Sequence, residues 1–117
     1  MKISGYTLHG DYYLADEVIP NKTWKEALKM KNVITLPNGK KVTAHILSKE
    51  ELETIPIKER KCGKWYWTST PYDDNYAWYV NSDGDVNGNS GVTGSNDFGG
   101  VRLGFHKNET KQLLNIE

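Results

Sequence analysis

The sequence predicts an α+β domain in which two helices pack on a twisted antiparallel sheet carrying long polar loops. Nine of the 13 aromatic residues lie between Trp65 and Phe105, in short clusters bounded by Gly, Asn, Asp, Ser or Pro. Such runs read as strands joined by tight turns. Upstream, Thr23-x-x-Glu26 and Ser48-x-x-Glu51 each open an apolar pattern, the signature of a capped helix start. At 117 residues and 37% hydrophobic content there is room for a single core, so one domain spans residues 1–117.

The elements follow in order. Lys2 to Glu17 reads as a hairpin, with a strand near Ile3 to Leu8, a Gly10-Asp11 turn and a return from Tyr12 to Ala15. Thr23 caps a helix running from Trp24 to about Lys31, with Trp24, Ala27, Leu28 and Lys31 inward and Lys25 and Lys29 outward. Pro37-Asn38-Gly39 separates two β-like runs, Val33 to Leu36 and Lys41 to Ala44. The helix opened by Ser48 stops near Ile55, because the residue before Pro56 is pushed out of the helical region. Lys58 to Lys64 is a basic connector. Strands then run from Trp65 to Thr70 and from Tyr76 to Asn81, the latter with Ala77 and Tyr79 on one face and Tyr76, Trp78 and Val80 on the other. Asp83-Gly84 supplies a hairpin signal, and the return from Val86 to Val92 is too rich in Asn and Gly for a strong strand. A last strand, Val101 to Phe105, puts Val101, Leu103 and Phe105 on one face and Arg102 on the other. The tail from Asn108 to Glu117 reads as one short helix, capped by Asn108 and packing Leu113 and Leu114.

The runs WYWTST (65–70), NYAWYVNSDGDVN (75–87) and GVRLGF (100–105) resemble the C-terminal half of C-type-lectin-like domains related to sulfatase-modifying factors, a pattern carried by uncharacterised bacterial and phage proteins. Thr23-Trp24-Lys25-Glu26-Ala27-Leu28 is similar to that family's first helix, and Ile46-Leu47-Ser48-Lys49-Glu50-Glu51-Leu52 to the start of its second. The resemblance covers about residues 10–106, with 107–117 as a tail, and implies a C-type-lectin-like fold. Function does not follow, because such a fold hosts unrelated activities.

Formal net charge is zero, but residues 1–64 carry 12 basic and 8 acidic side chains whereas 65–117 carry 3 and 7. That split argues against a uniformly basic nucleic-acid binder and predicts two faces of opposite potential. One cysteine, Cys62, excludes an internal disulfide, the start MKISGYTLHGDYY lacks the apolar core of a leader, and no run is long enough to span a membrane. These features predict a cytoplasmic protein, in the host cytoplasm if it is phage-encoded.

Motif by motif, the chemistry is thin. Asp83-x-Asp85-x-Asn87-Gly88 matches the opening of a calcium loop, but the twelfth position is Gly94 instead of a bidentate Glu, and a polar turn explains the same letters. Cys62 sits among Arg60, Lys61 and Lys64, a setting that lowers a thiol pKa. The formylglycine-generating relatives are understood to use a cysteine pair, and this chain has one. His9, His45 and His106 lack metal-ligand spacing. Arg102 reads as a scaffold residue paired or stacked inside the fold, and Trp65, Trp67 and Trp78 as core rather than as sugar platforms. No metal and no cofactor is expected.

What remains is loop surface. Tyr72, Asp73, Asp74, Asn75 and Tyr76 form one connection, and Asn87, Asn89, Ser90, Thr93, Asn96, Asp97 and Phe98 lie in another. The resemblance implies that both loops emerge on the ligand-contacting face. Their Tyr, Asn, Ser, Gly and Asp content is that of a recognition surface. The expected function is therefore a non-catalytic binding module: a small phage or mobile-element protein that inhibits a host defence protein, with Asp73, Asp74, Asp83, Asp85 and Asp97 covering a basic surface. Direct nucleic-acid binding is not expected. One alternative is a glycan- or receptor-binding domain of a tail or surface assembly; another is an oxidase-like relative of the formylglycine-generating enzyme.

Overall fold

The computed structural model describes residues 2–37, 39–86 and 98–110, together with the backbone of 92–94. Within them the chain is a small α+β domain of short helices and mostly antiparallel strands. It opens with β1 (Lys2–Ile3), β2 (Tyr6–His9) and β3 (Tyr12–Ala15). The expected first hairpin is present, with Tyr6 opposite Ala15 and His9 opposite Tyr12. Its first strand is broken where Ser4 and Gly5 both adopt positive φ, 48° and 88°, which folds β1 back onto β2.

After β4 (Ile19–Lys22) comes α1 (Trp24–Lys29). Its capping box forms as expected: Thr23 Oγ1 accepts from the Glu26 N–H, and Glu26 Oε1 accepts from the Thr23 N–H at 2.8 Å. The helix stops two residues short of Lys31, because Met30 leaves in an extended conformation. Fewer than two turns bury only Ala27, and Leu28 is 40% exposed instead of facing inward. The Trp24 indole N–H docks this short helix by donating to the Thr68 carbonyl at 2.8 Å.

Strands β5 (Asn32–Thr35) and β6 (Lys41–Ile46) form the expected hairpin, and the turn residue Asn38 lies outside the described residues. Ser48 and Glu51 complete the second capping box, over α2 (Lys49–Glu53). The stretch expected as a bare connector contains a further helix, α3 (Ile57–Arg60). Pro56 ends one helix and opens the next, its carbonyl accepting from the N–H groups of Glu59 and Arg60.

Next come β7 (Tyr66–Pro71), β8 (Tyr76–Val80), β9 (Val92–Gly94), β10 (Gly99–Val101) and β11 (Leu103–His106). The single strand expected at Val101 to Phe105 is thus divided. Strand β10 joins a sheet of order β4-β10-β7-β8-β9, and β11 joins one of order β1-β2-β3-β11-β6-β5. In place of the one antiparallel sheet expected there are two, and β10 runs parallel to β7. A helical turn follows at 108–110. Asn108 is not its cap: its N–H donates to His106 Nδ1, and Glu109 reaches back to the His106 N–H. Leu113 and Leu114 lie outside the described residues.

The core has two parts. Val101, Leu103 and Phe105 share one, as expected, with Trp67, Ala77, Tyr6 and Tyr13, and Tyr13 stacks on Phe105 at 5.0 Å. Leu14, Leu47, Leu52, Ile55, Tyr66, Val80 and Val86 make the other. The face alternation read for β8 holds, since Ala77 enters the first cluster and Val80 the second. Of the tryptophans expected in the core, Trp67 is fully buried and Trp65 is half-buried against the first cluster, whereas Trp78 is half-buried outside both, between Tyr72 and Lys49.

Two arginines tie these parts together. Arg60 is 3% exposed; its Nε donates to the Gly84 carbonyl and its Nη1 to those of Leu52 and Ile55. Arg102, 6% exposed, donates from Nε to the Ala15 carbonyl and from Nη1 to the Arg60 carbonyl, with its guanidinium 5.4 Å from the Tyr66 ring centroid. Tyr66 Oη donates to the same Arg60 carbonyl. Arg102 is therefore the scaffold residue expected, stacked on an aromatic ring and bonded to carbonyls. Replacing Arg60 by Met should strand the carbonyls of Gly84 and Ile55, that of Leu52 still accepting from the Ile55 N–H, and lower stability by about 3 kcal/mol. Lys, a single point charge without the fork, should recover only part of this. Urea unfolding of the three proteins measures it; a loss below about 0.5 kcal/mol would place Arg60 among ordinary surface residues.

Candidate functional site

The residues expected to make contact divide sharply. Tyr72 to Tyr76 form the tip of the β7–β8 hairpin. The N–H groups of Tyr72 and Asp73 both donate to the Tyr76 carbonyl, at 2.9 and 3.2 Å. Asp73 Oδ1 accepts from the N–H groups of Asn75 and Tyr76, at 2.8 and 2.9 Å. A short acidic side chain that bonds its own backbone two residues on is a turn former, and here it fixes the loop. Asp73 is thus in part a structural residue. Asp74 makes no hydrogen bond or ion pair among the described residues.

Tyr72 and Tyr76 face each other across the hairpin and are 56% and 46% exposed. Cross-strand partners share a face, and the Tyr72 ring meets Trp78 edge-on at 5.6 Å. Beneath this shelf lies α2. Lys49 Nζ sits 4.8 Å from the Trp78 ring centroid and pairs with Glu53 at 3.1 Å. Thr70 Oγ1 accepts from the Lys49 N–H, and the Ser69 N–H donates to the Leu47 carbonyl, joining hairpin to helix.

The second expected loop is different in kind. Val92–Gly94 is strand β9, paired with β8 so that Thr93 lies opposite Ala77. This correction has a plain cause: three residues with free backbone groups extend the sheet whatever their side-chain propensity. Asn87, Asn89, Ser90, Asn96 and Asp97, and the side chain of Thr93, lie outside the described residues. Phe98 is 67% exposed but is not beside the hairpin tip. Parallel pairing sets Gly100 against Tyr66, which puts Phe98 level with Lys64, eight residues before Tyr72 and roughly 26 Å along the strand direction from the tip. The acidic loops also fail to form one patch, since Asp73–Asp74 and Asp83–Asp85 sit at opposite ends of β8.

Elsewhere the candidates resolve into structure. Asn81 Oδ1 accepts from the N–H groups of Asp83 and Asp85, Gly84 takes φ +90°, and its carbonyl is held by Arg60. Cys62 Sγ lies 3.6 Å from the Lys64 carbonyl oxygen, and His45 Nδ1 is 2.8 Å from that of Ile46. Among the described residues no group of three or more His, Cys, Asp or Glu converges to hold a metal, and no helix is long and apolar enough to cross a membrane.

Two features escaped the sequence. Arg60 sits in a run of basic residues that gave no sign of burial. A groove of about 500 Å³ opens between the Ser4–Gly5 turn, the Asp16–Glu17 segment and Met30–Asn32, floored by Leu103 and Tyr6. Three chain-distant segments build it, so no local pattern marks it. The Asn32 amide donates to Tyr6 Oη on its wall, and Asp16 is held by Thr7 and by Lys2 at 3.1 Å.

Burial, then the charge of Arg102, pushes the His9 imidazole below its usual range, with Glu59 at 3.5 Å pulling the other way. Burial raises the Tyr66 phenol and Arg102 opposes it. The hydrogen bond from Lys107 lowers Asp11, and those from Thr7 and Lys2 lower Asp16. Comparison with family models, with curated proteins and with solved structures finds no match.

A depressed folded-state pKa at His9 means that the unfolded chain takes up its proton first as pH falls. Its contribution is therefore intact above about pH 6.5 and is lost as pH falls towards the folded value. Urea midpoints between pH 7.5 and 5.5 should decline less steeply for His9→Gln than for the native chain. Parallel slopes would remove His9 from the account.

Proposed function

We propose that this chain is a non-catalytic binding module of the C-type-lectin-like kind, and that the β7–β8 hairpin tip docks on a protein partner. The supporting observation is the pairing of exposure with rigidity. Tyr72 and Tyr76 stand 56% and 46% exposed on a loop whose backbone is closed by four hydrogen bonds. Large amphipathic rings held in place supply contact area at little entropic cost, which is how recognition loops work. The anchoring of β7 and β8 on α2 and on Tyr66 and Val80 of the core makes the tip an extension of a rigid body.

The partner surface is basic, to suit Asp74 and the second carboxylate oxygen of Asp73, which makes no hydrogen bond among the described residues. In a phage or mobile-element setting it belongs to a host defence protein whose nucleic-acid-binding face the tip would cover. A glycan ligand is the second reading, favoured by the edge-on Tyr72–Trp78 pair, on which a sugar ring could lie.

The test is affinity capture from host lysate with the native chain, with Tyr72→Ser/Tyr76→Ser and with Phe98→Ser. A protein retained by the native and Phe98 variants but lost from the double tyrosine variant, at unchanged melting temperature, is the expected result. Equal retention by all three would move the contact surface elsewhere. Binding of glycans but of no protein would favour the second reading.

A further inference from the structure

Resting on that reading of the tip, we infer that the group it takes from its partner is an arginine side chain. Its guanidinium lies on the exposed faces of Tyr72 and Tyr76 and pairs with the Asp74 carboxylate.

The tip offers two exposed rings on one face of a hairpin, directly across from one another. Just past them lie two carboxylates, Asp73 and Asp74, with no Lys, Arg or His within ion-pair distance among the described residues. Lys49, the cation beside this surface, is already committed to Glu53 and to the Trp78 ring. The shelf is therefore electron-rich and anionic, with its own cation spent below. An aromatic face attracts a cation, and a guanidinium does so more readily than an ammonium because it is planar and weakly hydrated. A carboxylate at the ring margin then accepts its N–H groups. The interior of the same chain shows the cation–ring half of this arrangement where Arg102 lies over the Tyr66 ring, there with carbonyls in place of the carboxylate.

Apolar partners fit less well, because burying Asp74 against them would leave a desolvated, unpaired charge. An anionic partner would meet Asp73 and Asp74 directly. Lysine satisfies the charge but gives up the planar stacking. Among side chains arginine alone meets both demands.

The experiment uses the full chain labelled with ¹⁵N and two probes, Ac-Gly-Arg-Gly-Arg-Gly-NH₂ and the same peptide with citrulline at both arginine positions. Citrulline keeps the shape and loses the charge. The arginine peptide should shift the amides of Tyr72, Asp74, Asn75 and Tyr76, with half-saturation at about tenfold lower concentration than the citrulline peptide. Asp74→Asn should weaken it by about threefold or more without changing the melting temperature. Equal titrations by the two peptides, or shifts outside the tip, would overturn the inference. So would full binding to Asp74→Asn. Loss of a captured protein in the tyrosine variant, alongside an arginine peptide that does nothing, would leave the tip as the docking surface and remove arginine as its target.

Discussion

The fold depends on two positive charges held out of water with no carboxylate in ion-pair contact among the described residues. Taking a guanidinium out of water costs several kcal/mol, and the cost is met here by main-chain carbonyls at fixed points of the chain. Arg60 collects the end of α2, the segment before Pro56 and the turn at Gly84. Arg102 collects the end of β3 and the end of α3. Tyr66, under Arg102, closes the circuit by donating to the Arg60 carbonyl. Each contact joins elements that apolar packing alone would leave free to slide. The division of the last strand follows from the same constraint: at Arg102 the chain leaves one sheet and enters the other, and the arginine seals the junction.

Close approach is the second constraint. A side chain at Gly104 would put its Cβ 2.6 Å from the Tyr13 carbonyl oxygen, and at Gly100 2.6 Å from that of Trp65. Glycine at these positions lets β11 lie against β3 and β10 against β7. The Trp67 indole adds a lateral tie, donating to the Lys22 carbonyl of β4 at 2.9 Å. The β7–β8 hairpin thus leaves the domain from a base fixed on three sides, and its tip inherits that order.

Local signals in the sequence were reliable where local physics decides. Both capping boxes, the Gly10-Asp11 hairpin and the face alternation of β8 are short-range features, and all are present. Long-range pairing was illegible. Ile19–Lys22 has neither alternation nor β-rich composition, yet it is a strand because β10 meets it. Val101 to Phe105 read as one strand because nothing local says that its halves serve different sheets. Arg60 looked like surface because burial of a cation depends on carbonyls from three other segments. At the site, the five tip residues were legible as a turn-bounded polar loop. The separation of Phe98 from them was not, because it turns on the direction in which β10 runs.

If the tip is a pre-organised surface, its order must be measurable without any partner. Native-state hydrogen exchange on the intact chain reads it directly. The amides of Asn75 and Tyr76, held by Asp73, should exchange at least about tenfold more slowly than unstructured amides, and Asp73→Ala should abolish that protection while leaving β7 and β8 unchanged. Exchange of both amides at the unstructured rate in the native chain would contradict the account, since a tip that must be ordered on binding is not the rigid contact surface described.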